Sequence, residues 1–375
     1  MADFSAADSE HMARALRLAR LGWYTAHPNP RVGCVLVRDG EVVGEGWHAV
    51  AGEAHAEINA LRMAGERARG STAYVTLEPC AHHGKTAPCA DALLGAGIAR
   101  VVAAMQDPFA DVAGQGFARL ADGGVEVETG LLETEARLLN EGFLSRIERG
   151  RPLLRLKIAA SLDGATAMAT GESHWITGPE ARRDVQRFRA ASGAIMTGSG
   201  TVLADDPALT VRDEGLGERQ PLRVVLDSRL RTPATAKMLR SDGETLIFCT
   251  DDQRRGPLEA AGAVVQKLGA GSGGLDLGEV LRILGERGIN DLLVEAGPLL
   301  SGALLEAGLV DELVIYQAPH IMGSQVRPMF ATPGWIRLEN RRSLRITDLR
   351  AVGRDIRITA RFSPSIASGR PRGQG

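Results

Sequence analysis

The 375-residue sequence has no long hydrophobic run, no block of basic residues and only four cysteines. A membrane-spanning helix needs about 20 consecutive apolar residues, so no membrane partner is expected. The N-terminal stretch carries acids and lacks the apolar core of a signal peptide, which favours a cytoplasmic protein. A formal net charge of −2 without a basic cluster argues against a nucleic-acid partner. Four cysteines are too few for a disulfide framework, so any that cluster indicate metal binding or catalysis.

The composition is that of a globular protein, with 44% hydrophobic and 24% charged residues. A chain of this length exceeds the size at which a single core usually keeps growing, so two domains are expected. Because membranes and nucleic acids are disfavoured, the expected partner is a small molecule. The sequence leaves the oligomeric state open, and a homo-oligomer is compatible with it.

In the first half, short apolar runs alternate with stretches of helical period, which predicts an α/β fold whose sheet is covered on both faces. The pattern is interrupted around Gly150 and Pro152, so we predict a first domain at 1–150. Helices are expected at 10–21, 55–64, 89–96 and 132–140, and strands at 32–37, 73–77 and 100–104.

The second half alternates in the same way and predicts a second α/β domain at 151–362. The end, 363–375, is small, polar and aperiodic, which predicts a disordered tail. Cys34 and Cys249 fall inside apolar runs and are expected to be core residues. Strand candidates lie at 153–160, 194–197, 222–227, 245–249, 292–296 and 310–317.

One imidazole and two thiols form a candidate metal site. His55, Cys80 and Cys89 would give a zinc ion one nitrogen and two sulfur ligands. Three protein ligands leave a fourth position for water, which is typical of catalytic rather than structural zinc, because the metal lowers the pKa of that water towards neutrality. Glu57 lies two residues from His55. This spacing at a helix start places Glu57 as the general acid and base rather than as a ligand.

Taken singly, His55 could be an ordinary surface histidine and the two cysteines could be small buried hydrophobes. Taken together, the H-A-E triplet, Pro79 before the first cysteine and a second cysteine shortly after match the signature of zinc deaminases. The gap between Cys80 and Cys89, AHHGKTAP, is longer than in the usual P-C-x-x-C form.

Two alternatives stay open. A nucleic-acid base deaminase with an appended domain would be expected to have a basic face, a shorter cysteine gap and no second catalytic unit, and the sequence has none of these features. A protein with a structural zinc would need a fourth protein ligand, which His82 or His83 could supply.

Two glycine-containing stretches in the second half could hold a phosphate. Gly198–Thr201 and Glu295–Pro298 each follow an apolar run, which is the context of a phosphate at a helix N-terminus. Neither is a complete G-x-G-x-x-G, so a standard Rossmann fingerprint is not expected. Taken alone, these glycines are more typical of turns than of a cofactor loop.

The stretches HPNPRVGCVLV, GEGWHAVAGEAHAEINAL and TLEPCAHHGKTAPC resemble the deaminase half of the bifunctional riboflavin-biosynthesis deaminase–reductase family, which carries the longer cysteine spacing. This resemblance implies a cytidine-deaminase-like α/β/α fold and a diaminopyrimidinone substrate bearing a ribosylamino 5′-phosphate. It places Asn29 against the pyrimidine and implies substrate or phosphate binding for His48, His82 and Lys85. Without it, Asn29 could be a turn residue and Lys85 a solvated surface lysine.

The stretches LKIAASLDGATAMATGESHWITG, TGSGTVLADDPALTVR and VEAGPLLSGALLEAGLVDEL resemble the reductase half of the same family. The resemblance runs from about residue 10 to 360. It implies a fold similar to dihydrofolate reductase, the cofactor NADPH, and reduction of the ribosyl group to a ribityl chain. Without it, Asp205 could belong to a plain turn and Trp175 to the core. The implied cofactor positions are Ala159, Trp175, Thr201, Asp205, Ser228, Gly297, Pro298, Leu299, Leu300, Ser301, Gly302 and Ala303. The implied substrate positions are Ser173, Arg189, Leu209, Arg212 and Glu295, with the two arginines as phosphate ligands.

Overall fold

The structure is a computed structural model that describes residues 4–81, 88–109, 112–217, 219–271, 274–332, 334 and 337–362. Two large sheets with helices packed on them, accompanied by two small two-stranded sheets, confirm the predicted α/β class. His82, His83, Lys85 and the predicted tail at 363–375 lie outside the described residues. Among the residues described, no helix combines the length and the hydropathy that crossing a bilayer requires.

The first sheet has five strands in the order β2-β1-β3-β4-β5. Strand β1 is antiparallel to β2 and β3, whereas β3, β4 and β5 are parallel. The elements of this part are α1 (Ala6–Ala19), β1 (Gly33–Arg38), β2 (Glu41–Trp47), α2 (Ala56–Ala64), β3 (Thr72–Val75), α3 (Cys89–Gly95), β4 (Arg100–Ala103), α4 (Gln115–Asp122), β5 (Glu126–Thr129), α5 (Glu133–Leu139) and α6 (Glu141–Arg149). The helices and strands predicted for this half are confirmed, and β2, β5, α4 and α6 are additional.

The first sheet is buried on both faces, as predicted. Val35 and Val37 of β1 face a cluster that includes α1 and α5, whereas Cys34 and Leu36 face a cluster that includes α2 and α3. This alternation follows from the period of two residues in a strand. Cys34 is fully buried, which confirms its place in the core.

Helix α2 lies unusually close to β2 because β2 contains two glycines. A Cβ atom at Gly44 would lie 2.3 Å from the carbonyl oxygen of Ala60, and one at Gly46 would lie 2.3 Å from that of Ala56. Any larger residue would push the helix away. The glycines therefore fix the position of the helix whose first turn carries Glu57.

The second sheet has nine strands in the order β11-β10-β9-β8-β14-β6-β15-β18-β17. The elements are β6 (Leu153–Ser161), β7 (Ala165–Met168), α7 (Pro179–Ala191), β8 (Ala194–Gly198), α8 (Ser199–Asp205), β9 (Leu222–Leu226), α9 (Lys237–Arg240), β10 (Thr245–Cys249), α10 (Arg255–Ala260), β11 (Ala263–Lys267), β12 (Ala270–Gly271), β13 (Gly274–Leu275), α11 (Leu277–Glu286), β14 (Asp291–Glu295), α12 (Pro298–Glu306), β15 (Glu312–Ala318), β16 (Val326–Pro328), β17 (Leu344–Val352) and β18 (Asp355–Phe362). All six strand candidates of this half are confirmed.

The first seven strands in this order, from β11 through β10, β9, β8, β14 and β6 to β15, run parallel, whereas β18 is antiparallel to both of its neighbours, β15 and β17. The parallel strands are buried on both faces, which explains their nearly continuous apolar runs. Cys249 is one of these buried residues, as predicted. Because the strands are parallel, the carboxyl ends of β6, β8, β9 and β14 lie at one edge of the sheet, the usual place for a ligand crevice in such folds.

Candidate metal centre and cleft

The three predicted metal ligands lie together at the amino ends of two helices. His55 is the N-cap of α2, Cys89 is the first residue of α3, and Cys80 lies in the loop after β3. The His55 Nδ1 atom is 3.2 Å from Cys89 Sγ and 3.6 Å from Cys80 Sγ. All three ligand atoms lie within 4.8 Å of one another. One nitrogen and two sulfurs at this spacing fit a zinc ion.

The electrostatics of the cluster favour a thiolate. The pKa of Cys80 is lowered to about 4, because the side chain of Cys89, His55 and the Cys89 amide all donate towards its sulfur. The Cys89 amide nitrogen is 3.3 Å from Cys80 Sγ. Within the described part of the chain, no fourth histidine, cysteine or acidic residue joins this group. His82 and His83 lie outside that part, so the alternative of a structural zinc stays open.

Glu57 is buried beside the cluster without a charged partner of opposite sign. Its side chain is in the first turn of α2, and the residue is only 3% exposed. Its Oε2 atom makes no hydrogen bond to any described residue. Burial raises the pKa of Glu57 to about 7, and a cation held by the neighbouring ligands would oppose that shift. A buried carboxyl with one oxygen left unbonded by the described residues is what a proton carrier at this site would need.

Asn29 and His48 extend the site on one side. Asn29 Nδ2 lies 3.0 Å from His48 Nε2, and His48 Nδ1 lies 3.2 Å from the carbonyl oxygen of Ala54. A neutral His48 that donates from Nδ1 would accept from Asn29 at Nε2. The His48 and His55 rings meet edge to face at 5.4 Å. The structure therefore brings both predicted substrate residues to the metal ligands, whereas His82 and Lys85 lie outside the described residues.

Glu78 is a structural support of this site that the sequence analysis missed. Its carboxylate accepts hydrogen bonds from the backbone amides of Asp107, Gly114, Gly116 and Phe117 at 2.8–3.4 Å. It therefore ties the loop before α4 to the segment that leads to Cys80. The available signal was an acidic residue immediately before the Pro-Cys pair, at the end of an apolar strand.

A cleft of about 1400 Å³ lies at the carboxyl ends of β6, β8, β9 and β14. Leu299 is 79% exposed in it. Ser301 and Gly302 are instead buried, and Trp175 lies outside the lining, exposed, with the Arg182 guanidinium 4.6 Å from its ring centre. The predicted cofactor positions that line the cleft are Ala159, Thr201, Asp205, Ser228, Gly297, Pro298, Leu299, Leu300 and Ala303.

The predicted substrate positions of the second half are only partly brought together. Ser173 and Glu295 line the cleft. Arg189 does not; it is buried and donates to both oxygens of Glu295, at 2.7 and 3.1 Å. Leu209 is buried in the core, and Arg212 is exposed outside the lining.

The charges around Glu295 fix its ionisation. Burial alone would raise the pKa of this carboxyl, but Arg189 and Lys157 lower it to about 2. Lys157 Nζ lies 3.6 Å from Glu295 Oε2, and Lys157 also lines the cleft. The ionised Glu295 and Lys157 therefore both face the cleft.

Lys157 and Arg231 are cleft residues that the sequence analysis missed. Arg231 Nη2 donates to Ser199 Oγ at 2.8 Å, next to Ser228 on the lining. The signal for Lys157 was a basic residue inside the apolar run of β6, which also contains Arg155, and for Arg231 a basic residue in the turn after β9. Both add positive charge to a cleft expected to hold phosphates.

Comparison with known proteins gives matches in both halves. Residues 5–105 match the family of the cytidine and deoxycytidylate deaminase zinc-binding region, and residues 152–358 match the RibD C-terminal domain. The chain is 52% identical over 361 residues to the riboflavin biosynthesis protein RibD of Escherichia coli, covering 93% of this chain and 98% of that protein. It is 47% identical over 372 residues to the Haemophilus influenzae protein of the same name, covering 96% and 98%.

Solved structures give the same result. A structure of Acinetobacter baumannii RibD matches with a TM-score of 0.89 and 44% identity, covering 96% of this chain and 99% of that one. A Thermotoga maritima protein, described as a diaminohydroxyphosphoribosylaminopyrimidine deaminase and 5-amino-6-(5-phosphoribosylamino)uracil reductase, matches with a TM-score of 0.85 and 31% identity, covering 95% and 99%. Both similarities extend through the two sheets.

Proposed function

We propose the substrate and the residues of each step for this chain, which belongs to the RibD family and is a bifunctional deaminase and reductase of riboflavin biosynthesis. The first site hydrolyses an amine of 2,5-diamino-6-ribosylamino-4(3H)-pyrimidinone 5′-phosphate. The second reduces the ribosyl side chain of the product to ribityl with NADPH. The observation that carries the proposal is the His55, Cys80 and Cys89 cluster with the buried Glu57 beside it, whose Oε2 atom has no hydrogen-bond partner among the described residues.

In the proposed deamination, His55 Nδ1 and the sulfurs of Cys80 and Cys89 hold zinc. When bound there, zinc supplies a Lewis acid that makes water nucleophilic near neutral pH. Glu57 Oε2 takes a proton from the attacking water and returns it to the pyrimidine, so that ammonia leaves the carbon to which oxygen has added. Asn29, whose amide is fixed by His48, binds the pyrimidine edge.

In the proposed reduction, Gly198–Thr201 and the cleft-lining residues of 297–303 would hold the cofactor. NADPH supplies a hydride to the anomeric carbon when bound. Arg231 and Ser228 bind a nucleotide phosphate, since a guanidinium that already donates to Ser199 is held in place for one. Lys157 and Glu295 hold the sugar of the substrate, and Arg189 keeps Glu295 ionised and oriented.

We further propose that 1–150 is the deaminase domain, 151–362 the reductase domain and 363–375 a tail. Support comes from the two sheets, which divide at the end of α6, and from family matches that end at 105 and begin again at 152. The ligand is a small molecule. Four free cysteines fit a reducing compartment, so cytoplasmic location is part of the proposal.

The proposal is tested by incubating the purified full-length protein with the pyrimidine phosphate, with and without NADPH, and identifying the products by mass. Without NADPH, we expect only replacement of one amine by oxygen. With NADPH, the same product should gain two further hydrogens. Reduction without deamination would show that the metal site is not the deaminase site, and deamination without reduction would show that the cleft is not the reductase site.

A further inference from the structure

The residues that carry Asn29 lie between the two halves of the molecule. Residues 27–31, the asparagine segment, precede β1 and contact both sheets. The backbone amide of Asn29 donates to the carbonyl oxygen of Ala26, just before the segment, at 2.9 Å. Its side chain reaches His48 at 3.0 Å. The position of Asn29 beside the metal ligands therefore depends on what holds this segment.

One anchor of the segment comes from the second half. Asn290 Nδ2 donates to the carbonyl oxygen of Pro28 at 2.8 Å, one residue before Asn29. Asn290 is only 4% exposed, and its Oδ1 accepts from Arg146 Nε at 2.6 Å. Its own carbonyl accepts from the Leu153 amide at 2.8 Å. Asn290 is thus fixed on three sides and presents a rigid donor to the segment.

A second anchor is the buried carboxylate of the next residue. Asp291 Oδ2 lies 3.6 Å from Arg31 Nη2, and its Oδ1 accepts from Arg155 Nη1 at 2.7 Å. Although burial would raise the pKa of Asp291, the two guanidinium groups lower it, so the carboxylate stays charged. Arg31 is held at the same time by its own half, since Asn140 bonds both its backbone amide and its carbonyl, at 2.8 and 3.0 Å.

His27, at the start of the segment, packs tightly against Gly193 of the second half. A Cβ atom at Gly193 would lie 2.4 Å from Cε1 of the His27 ring, so only glycine allows this contact. The Gly193 amide donates to the carbonyl oxygen of Asp291 at 2.8 Å. The residues immediately before β8 and at the start of β14 therefore form one surface on which the segment rests.

We propose that Asn290 is a positioning residue of the deaminase site: the reductase half holds the asparagine segment so that Asn29 meets the pyrimidine. This inference rests on the proposed function of Asn29. A hydrogen bond tolerates only a few tenths of an ångström before it weakens, and a displacement of about 1 Å in a positioning group can cost about a hundredfold in rate. Pro28 and Asn29 are adjacent, so release of the Pro28 carbonyl displaces the Asn29 side chain directly.

The test uses Asn290→Ala and Asn290→Asp in the full-length protein. The aspartate variant keeps an acceptor for Arg146 but loses the donor to Pro28. Both variants should raise the KM for deamination about tenfold, with a smaller change in kcat, because binding of the pyrimidine is impaired and the metal chemistry is not. Zinc content should be unchanged. Reduction of the already deaminated substrate, measured on the same preparation, should be preserved.

Glu141→Gln is the matched control. It removes a contact between the halves, the pair of Glu141 with Arg361 at 2.5 Å, without touching the asparagine segment. It should leave the KM for deamination unchanged. A double-mutant cycle gives the decisive readout: if Asn290 acts through Asn29, the effects of Asn29→Ala and Asn290→Ala on KM should not add.

The outcomes separate the inference from the function on which it rests. A wild-type protein that does not deaminate the pyrimidine refutes the proposed function. Active wild type with an unchanged KM in both Asn290 variants refutes the inference alone. Equal loss of both activities in the two variants, or fully additive effects with Asn29→Ala, would assign Asn290 to the fold and also overturn the inference.

Discussion

Glu57 and Glu295 are two glutamates that face functional sites in different halves of the molecule, and their surroundings push their pKa values in opposite directions. Glu57 is buried, its Oε2 atom has no hydrogen-bond partner among the described residues, and burial raises its pKa to about 7. Glu295, whose side chain is 13% exposed, is bound by Arg189 and faces Lys157, and its pKa falls to about 2. The same residue type is therefore poised to carry a proton in one site and to remain a fixed anion in the other.

The largest expected effect is on the free energy of unfolding and comes from removing Arg189, the partner of the Glu295 carboxylate. Arg189→Ala leaves Glu295 without its bidentate donor in a buried place, which should cost about 3–5 kcal/mol in the free energy of unfolding. Denaturant unfolding followed by circular dichroism measures this loss. Arg187→Ala is the control, because Arg187 is an exposed arginine of the same helix. Equal stability of the two variants would contradict the idea that Arg189 determines the state of Glu295.

Replacing Glu57, the proposed proton carrier, should lower the rate of deamination rather than the stability of the fold. Glu57→Gln should keep about one zinc per chain but lower deamination at least about a hundredfold, because proton transfer of this kind is worth that much. Metal analysis and a deamination assay measure the two effects, and chelation of the metal should abolish deamination of the wild type. Reduction serves as the internal control. Loss of zinc from the variant would instead make Glu57 a ligand.

Loss of Arg212, the exposed arginine that is predicted to bind the substrate phosphate, should give a smaller effect. We expect Arg212→Ala to weaken binding of the deaminated substrate about tenfold, through loss of one charge-assisted contact to phosphate. The KM of the reduction measures it, and the affinity for NADPH should be largely spared. Arg212→Lys should recover part of the loss. An unchanged KM would remove Arg212 from the substrate site.

Lowering the pH should produce the smallest of these effects, a modest decrease in the free energy of unfolding. The pKa of Glu295 is about 2 in the folded protein and near 4.5 when free, so its ion pair stabilises the fold fully above 4.5 and ceases to do so as the pH falls towards 2. This group should contribute a loss of only about 1 kcal/mol near pH 4. Unfolding of wild type and Glu295→Gln at several pH values measures it. The difference between them should narrow with acid, and a constant difference would contradict the low pKa.

The cluster of His55, Cys80 and Cys89 could be predicted from sequence because these residues lie within 55–89 and each has a local signature. The environment of Glu295 could not, since Lys157 and Arg189 are more than 100 residues away and become its neighbours only through the parallel sheet. Strand β2 was missed because Gly44 and Gly46, which admit α2, weaken a strand pattern. Strand β18 was missed although Ile356, Ile358 and Ala360 alternate with polar residues, whereas the alternation of β17 is broken by an irregular register between Ile346 and Asp348.

Strand β14 begins at Asp291, which pairs with Arg31 of the asparagine segment, and ends at Glu295 in the cleft, so one five-residue strand connects the two. This has a consequence for building chimeras of related proteins. A recombination breakpoint at residue 150 would separate Pro28 from the Asn290 donor with which it is matched. The unit to exchange is instead the first domain together with the surface formed by Gly193, Asn290 and Asp291. A hybrid that takes both from the same parent protein should retain more deaminase activity than a hybrid that is simply joined at residue 150.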